Sequence, residues 1–363
     1  MKRRSIWPGL LPGALLGFWL ASTITPTDAH ATKFAGAFMA DGGGARALGM
    51  GSAFVAVADD ASASFWNPAG LLDLSQRQIL LMHSERFGDL IDRDFAVYSQ
   101  PLESDAEGRV TSAFGFSVIH LALDDIPFTE GLVDQLDANS DGVLSADEAA
   151  GILDPDNFAL IEYKTDRQLA FMVSYARLFE DFQVGGNVKF IRQSVGEYSS
   201  WGLGVDLAAI RRDWWRNLDV GVKLQDATST YLSWDTGRNE TIAPVLVPGV
   251  SYDLSFPEWS LDVEAAGALE VHFDGRSNNV DQFGYQAWGG LFEDVSSNLF
   301  LGLETTFSER AHLRFGSHGG FEAENLTFGA GFELEWFRVD YARAGDVLDI
   351  DEATHRVSIG ADF

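Results

Sequence analysis

The sequence predicts an all-β protein that forms a transmembrane antiparallel β-barrel of about 14 strands. From about Gln76 onward, runs of roughly ten residues alternate apolar and polar side chains, as expected for strands with two different faces. Beyond residues 1–31, the chain contains no apolar run of the roughly 18 residues that a spanning helix needs. A chain of this kind that crosses a membrane must therefore cross it with strands.

Residues 1–31 are predicted to be a secretory signal peptide. Residues 2–4 are basic, residues 6–20 form an apolar centre, and residues 29–31 provide a small-x-small cleavage site. The mature chain is therefore expected to begin near Thr32, in an exported compartment.

Composition excludes several classes of function. The formal net charge of −29 excludes a nucleic-acid binder, because such proteins need positive surfaces to meet phosphates. The chain has no cysteine, so disulfides are excluded and a metal site must use oxygen or histidine ligands. No HExxH, G-x-S-x-G, P-loop or G-x-G-x-x-G motif is present, and we expect that the protein is not an enzyme.

Residues 42–71 differ from the rest of the chain. They are rich in Gly, Ala and Ser, have no wide apolar stripe, and end in the turn sequence Trp66-Asn67-Pro68-Ala69-Gly70. Glycines weaken an isolated helix, whereas small side chains let a backbone lie close to surrounding walls. The composition therefore indicates a segment packed inside a larger structure.

Three stretches of this segment carry a family resemblance: GARALGMG at 44–51, ADDA at 58–61 and NPAGL at 67–71. The chain resembles the PorV/PorQ-type outer-membrane proteins, which are related to the FadL-type long-chain fatty-acid transporter barrels. The resemblance implies a hatch, residues 32–76, inside a barrel formed by residues 77–363. It implies bacterial outer-membrane localisation and the 14 strands of the FadL type.

The hatch motif supplies candidate site residues. Those that the resemblance carries are Arg46, Asp59, Asp60, Asn67, Pro68 and Ala69. The Asn-Pro-Ala turn is the fixed point that the resemblance implies. Asp59 and Asp60 could pair with barrel arginines such as Arg192 or Arg338, and the sequence does not choose between them.

The strand predictions alternate with short and long joins. They are residues 77–85, 93–101, 111–121, 167–179, 182–194, 198–210, 217–227, 245–256, 259–271, 297–307, 311–318, 325–334, 335–344 and 354–363. Alternating join lengths are typical of a barrel with periplasmic turns and longer outer loops. The last strand ends on Phe363, which resembles the closing strand recognised by the outer-membrane assembly machinery. Alternation alone also fits a soluble sandwich, so that alternative stays open.

The longest join, with an insertion at residues 124–158, contains an EF-hand-like calcium loop. Its predicted ligands are Asp137, Asn139, Asp141, Val143, Ser145 and Glu148, with Gly142 at the sharp turn. Carboxylate and carbonyl oxygens at this spacing are the ligands that Ca²⁺ prefers. We expect a structural Ca²⁺ ion that orders a small helical outer loop.

Two functions fit these features. The first is a passive channel for small apolar molecules, gated by the hatch; the FadL-type resemblance implies sideways release through the wall. The second is a non-transporting PorV-like component of a protein secretion and surface-attachment system, with secretion proteins as partners. Outer-membrane lipid is an expected partner in both, and a soluble exported calcium-binding β-protein is a third reading.

The predicted lumen is polar. The side chains expected to line it include Lys189, Asp262, Glu264, Glu304, Arg338 and Asp340. Unobstructed passage of an apolar molecule along such an axis is unfavourable.

Overall fold

A computed structural model describes most of the chain. The described residues are 30–31, 36–86, 90–128, 136–137, 145, 161–273, 296–320, 325–344 and 354–363. The predicted signal peptide, apart from residues 30–31, lies outside them. So do four of the predicted calcium ligands, Asn139, Asp141, Val143 and Glu148.

Strands dominate the described residues. They are β1 His30–Ala31, β2 Gln78–Arg86, β3 Ile91–Ser104, β4 Val110–Phe128, β5 Glu162–Phe179, β6 Phe182–Val195, β7 Tyr198–Arg211, β8 Leu218–Gln225, β9 Thr230–Trp234, β10 Asn239–Ile242, β11 Val245–Phe256, β12 Leu261–His272, β13 Ser296–Phe307, β14 Ala311–His318, β15 Leu326–Leu334, β16 Phe337–Ala344 and β17 Thr354–Asp362. Apart from the short β1, which pairs in parallel with β10, neighbouring strands pair antiparallel.

The strands close into an antiparallel barrel, because β17 pairs with β2. In the described part of the chain, β8 and β9 both pair with β7 and together form one interrupted strand. On their other side, β11 pairs with β8 and β10 pairs with β9, so β10 and β11 form a second interrupted strand. The barrel therefore has 14 strand positions, which confirms the predicted all-β barrel. The hairpin β9–β10 corrects the sequence analysis, which interpreted residues 228–244 as a loop.

Alternate side chains of each strand face opposite sides of the wall. In β6 the outward apolar side chains are 39–57% exposed: Phe182, Val184, Val188 and Phe190. The intervening side chains, such as Asn187 and Lys189, are buried inside the barrel. A soluble sandwich would bury its apolar faces, so the exposed apolar belt decides in favour of a membrane barrel.

The two rims of the barrel differ. One, the turn rim, carries the short joins at residues 105–109, 180–181, 212–217, 257–260, 308–310 and 335–336. The other, the loop rim, lies at the opposite strand ends and carries the joins at residues 196–197 and 235–238. Four tryptophans at the turn rim are 59–72% exposed: Trp214, Trp215, Trp259 and Trp336. Amphipathic rings at this level are typical of the aromatic girdle where a barrel meets the membrane interface.

Residues 36–74, here called the luminal segment, lie inside the barrel. They form α1 Ala37–Ala40, α2 Ala45–Gly49, α3 Ala63–Trp66 and a 3₁₀-helix Pro68–Asp73. The segment touches the wall on several sides. A Cβ on Gly221 would lie 2.5 Å from the Val55 carbonyl oxygen, and one on Gly51 would lie 2.7 Å from the Leu301 carbonyl oxygen. No helix in the described residues has the length and apolar character needed to cross a bilayer.

Candidate functional site

Arg46 of α2 joins the luminal segment to the barrel wall. Its Nη2 lies 2.9 Å from Glu304 Oε1 and 3.7 Å from Glu264 Oε2. Its Nη1 pairs with Asp59 and lies 3.5 Å from Asp60 Oδ2. Four carboxylates therefore surround one buried guanidinium, and the segment and the wall each supply two.

Two wall arginines extend this network. Arg314 pairs with Glu304, and its Nη1 lies 2.7 Å from Asp340 Oδ1. Arg338 Nη2 lies 3.2 Å from Asp60 Oδ2. Burial alone would raise the pKa of Asp60, but Arg338 and Arg46, together with hydrogen bonds from Ser62, outweigh burial and lower that pKa. The carboxylate therefore stays charged and holds the segment against β16.

The structure chooses between the partners that the sequence left open. Arg338 faces Asp60, whereas Arg192 lies at the other end of the barrel and donates to the Ser200 carbonyl at 3.3 Å. Asp59 binds Arg46 within the segment itself. The sequence predicted that these carboxylates lie in the N-terminal segment and the arginines in the barrel, but it did not predict which ones pair. The pairing depends on how the segment sits against the strands, which is a tertiary feature.

The Asn67-Pro68-Ala69 turn fixes the second half of the segment. Asn67 Oδ1 accepts the Ala69 amide at 3.1 Å, and Asn67 Nδ2 donates to the Val55 carbonyl at 2.7 Å. Asparagine suits this position because one side chain both caps the following helix and binds a second backbone group. The turn rests on the wall at Gly185, where a Cβ would lie 2.5 Å from the Ala69 nitrogen.

Arg212, at the turn rim, is a contact that the sequence analysis missed. It donates to the carbonyls of Ala56, Val57 and Ala58 at 2.5–3.1 Å, and its Nη2 lies 2.6 Å from Asp73 Oδ2. One side chain thus ties two parts of the segment to the barrel. The sequence did not predict this role, because the carbonyls that accept from Arg212 lie about 150 residues away along the chain.

Lysines from the wall make a second buried cluster. Lys223 Nζ donates to the Phe65 carbonyl at 2.7 Å. Lys189 Nζ lies 2.8 Å from Asp206 Oδ1 and also pairs with Asp226. The charges of this cluster are almost fully buried, and the cluster contacts α3 through the bond from Lys223 to the Phe65 carbonyl.

The interior also has an apolar side, here called the apolar wall. It is made by inward side chains of β2–β6: Leu80, Met82, Phe95, Val97, Ile119, Met172 and Ile191. Phe38, Met39, Leu48 and Phe65 of the luminal segment pack in the same cluster. The charged network lies on β12–β16, so the predicted polar lining describes only part of the lumen. The sequence did not predict the apolar wall, because apolar side chains in a strand give no sign of whether they face the lumen or the lipid.

Two of the six predicted calcium ligands can be located. Asp137 is buried and Ser145 is exposed. Within the described ranges, no group of three or more His, Asp or Glu side chains is arranged to hold a metal ion. Calcium binding stays a prediction from the sequence.

Comparison with solved structures gives the class of fold. A TodX monoaromatic hydrocarbon channel with a deltaS2 mutation superimposes with a TM-score of 0.50 at 11% identity, covering 89% of this chain and 99% of that one. Its deltaS2S3 mutant gives 0.48 at 12% identity with the same coverage. Omp33 of Acinetobacter baumannii gives 0.36 at 8% identity, covering 79% and 98%. No protein-family model matches the sequence, and a search of curated proteins finds no match.

The closed barrel and its exposed apolar belt define an integral protein of the bacterial outer membrane. Within that class, the fold resembles that of the TodX deltaS2 barrel. The closer PorV/PorQ resemblance stays a prediction.

Proposed function

We propose that this protein is a passive outer-membrane channel for small apolar molecules, with the luminal segment as its gate. The observation that carries the proposal is the apolar wall, which is covered by the segment itself. An apolar surface that lines a lumen offers a path to an apolar solute once its cover moves. Three of the four large segment side chains in this cluster, Phe38, Met39 and Leu48, belong to the first part of the segment, which is therefore most of the cover.

The segment divides into a gate part, residues 36–49, and an anchored part, residues 54–74. Two bonds hold the anchored part to the wall: Asn67 donates to the Ala209 carbonyl, and Arg212 of the wall pairs with Asp73. The gate part is held by the Arg46 network and by the Ala45 amide, which donates to Ser358 Oγ at 2.8 Å. We infer that opening breaks these bonds while the anchored part stays in place.

The fold comparison supports this choice of substrate class. The TodX structures are described as monoaromatic hydrocarbon channels, and the deltaS2 barrel covers 89% of this chain. The charged network on β12–β16 disfavours an apolar axial exit, because apolar solutes are not stabilised among buried charges. We therefore propose release between strands into the membrane.

A disulfide lock tests the gate. Cysteines are placed at Ala45 and Ser358 because the Ala45 amide donates to Ser358 Oγ at 2.8 Å, and the chain has no other cysteine. Loss of free thiol on oxidation of the double variant checks that the bond has formed. The readout is influx of the apolar dye N-phenyl-1-naphthylamine into cells that produce Ala45→Cys/Ser358→Cys. We expect oxidation to reduce influx to the level of cells without the protein, and a reductant to restore it.

The single variants Ala45→Cys and Ser358→Cys serve as controls. Dye influx into cells that produce them should be the same under oxidising and reducing conditions. Equal influx in the oxidised and reduced double variant would reject the gate. It would favour the alternative, a non-transporting PorV-like component of a secretion system.

A further inference from the structure

The peptide between Gly42 and Gly43 occupies a narrow slot between two aromatic rings. A Cβ on Gly42 would overlap the Trp66 ring, and one on Gly43 would lie 2.7 Å from Phe95 Cγ. Side chains larger than hydrogen are therefore excluded on both faces of this peptide. Phe65 lies against both rings, with centroid separations of 5.2 Å to Trp66 and 6.2 Å to Phe95.

Polar groups line one edge of this slot. Arg93 Nη2 donates to the Gly42 carbonyl, and Trp66 Nε1 donates to the Gly43 carbonyl at 2.7 Å. The Gly42–Gly43 peptide thus lies as a planar group between the rings, with its own oxygen on Arg93 and the oxygen of the following peptide on Trp66. Arg93 is only 1% exposed, so the peptide and its surroundings cover the guanidinium.

Three further donor atoms at this edge are unused. Among the described residues, Arg93 Nε, Arg93 Nη1 and Ser84 Oγ have no hydrogen-bond partner. Ser84 faces Arg93 directly in the β2–β3 ladder and is also 1% exposed. Buried donors are nearly always paired, so two neighbouring side chains with unused donors indicate a place for an acceptor. A carboxylate suits a guanidinium best.

The slot continues into the apolar wall. The next inward pair of the same two strands is Met82 and Phe95, and the pair after that is Leu80 and Val97. Arg356 faces Ser84 from the other side, in β17, and adds positive charge to the row. Arg86, at the end of β2, pairs with Asp41 of the gate part. The site therefore has an arginine-rich end toward the loop rim and an apolar, aromatic body below it.

We propose that this slot binds a small aromatic carboxylate and that the Gly42–Gly43 peptide is its built-in occupant. The inference rests on the proposed function, because it names a ligand that acts on the same gate. The ring of the ligand replaces the peptide plane between Trp66 and Phe95, and its carboxylate takes the donors of Arg93 and Ser84. Trp66 belongs to the anchored part, so the slot persists when the gate part withdraws.

Binding and opening are then coupled. The ligand and the peptide compete for one slot, so the ligand binds only the conformation in which the gate part has withdrawn. A ligand that prefers one conformation shifts the population toward it. An aromatic acid that reaches the slot therefore favours the open gate.

Calorimetry on the purified full-length barrel in detergent tests the site, with benzoate and its neutral isostere benzamide as probes. We expect benzoate to bind at least about tenfold more tightly than benzamide, the range of a charge-assisted hydrogen bond. Arg93→Gln should remove that preference. Gly43→Ala should strengthen benzoate binding several-fold, because its methyl group meets the Phe95 ring and displaces the occupant.

Matched controls separate these effects from general damage. Arg343→Gln removes the same charge from the outward face of β16, and Gly360→Ala adds a methyl group whose nearest neighbour is 3.6 Å away. Neither should change benzoate binding. The heat-dependent shift on an unboiled gel reports whether each barrel has folded. If Gly43→Ala does not fold, the benzoate preference and its loss in Arg93→Gln decide the question.

Equal affinities for the two probes, no binding of either, or weaker benzoate binding in folded Gly43→Ala would overturn the proposal. The dye-influx lock reports on the gate independently. If dye influx depends on the redox state of the double-cysteine variant but benzoate is not preferred over benzamide, this site is rejected and the proposed function is kept. A benzoate preference without redox-dependent influx keeps the site and rejects the function.

Discussion

Arg46 and Glu304 are 258 residues apart in the sequence and share three hydrogen bonds of 2.9–3.2 Å inside the barrel. Both side chains are at least nine-tenths buried, so the pair is shielded from bulk water. Buried ion pairs are costly to break by removal of one partner, because the other charge stays in a poor solvent. The contact is therefore a strong restraint on the gate part.

Arg46→Gln should release this restraint. It leaves Asp59 and Asp60 without their shared cation, and we expect the free energy of unfolding to fall by about 3 kcal/mol. The measurement is the midpoint of the heat-dependent gel shift, with dye influx in cells as a second readout that should rise. Arg77→Gln, an exposed change at the turn rim, is the control. An unchanged midpoint in Arg46→Gln would contradict the assigned role.

Asn67→Ala should destabilise the anchored part. It removes the cap on Ala69 and leaves the Val55 carbonyl unpaired in a buried place, at a cost of about 2 kcal/mol. The same gel-shift midpoint measures the loss. Asn239→Ala in the hairpin β9–β10 is the control and should shift the midpoint by much less. Equal shifts in the two variants would argue against the turn as a fixed point.

Gly185→Ala tests the close approach between wall and turn. The added methyl group would lie 2.5 Å from the Ala69 nitrogen, so the turn must move, and overpacking of this kind costs about 1–3 kcal/mol. Gly267→Ala makes the same change in another strand, where the nearest atom is 3.6 Å away. Only the first variant should lower the midpoint. A stable Gly185→Ala barrel would show that the turn is free to withdraw.

The predicted calcium loop is tested by titration. Glu148 is the expected bidentate ligand, so Glu148→Gln should weaken calorimetric Ca²⁺ binding by about tenfold or more from the 10⁻⁴ to 10⁻³ M range of extracellular sites. Glu107→Gln, in an exposed turn at the turn rim, should leave binding unchanged. Identical titrations of the wild type and Glu148→Gln would remove calcium from the account of this protein.

Strand positions were predictable because a period of two residues is a local property. The predicted strand 182–194 is Phe182–Val195 in the structure, and the predicted 245–256 matches Val245–Phe256. The hairpin β9–β10 escaped prediction because its strands are short, with 5 and 4 residues, and carry little periodicity. Local alternation also left a soluble sandwich open until the exposed side of β6 was known.

Three features could be predicted from the order of the residues: strands that alternate, no helical span after residues 1–31, and a small-residue segment suited to an interior. These features follow from side-chain size and polarity along a single chain. The folded barrel was needed to show which charges meet, such as Asp60 with Arg338, and that Arg93 and Ser84 face one another beside Gly42. Such contacts depend on register between distant strands, which is fixed when the barrel closes and the segment packs inside it.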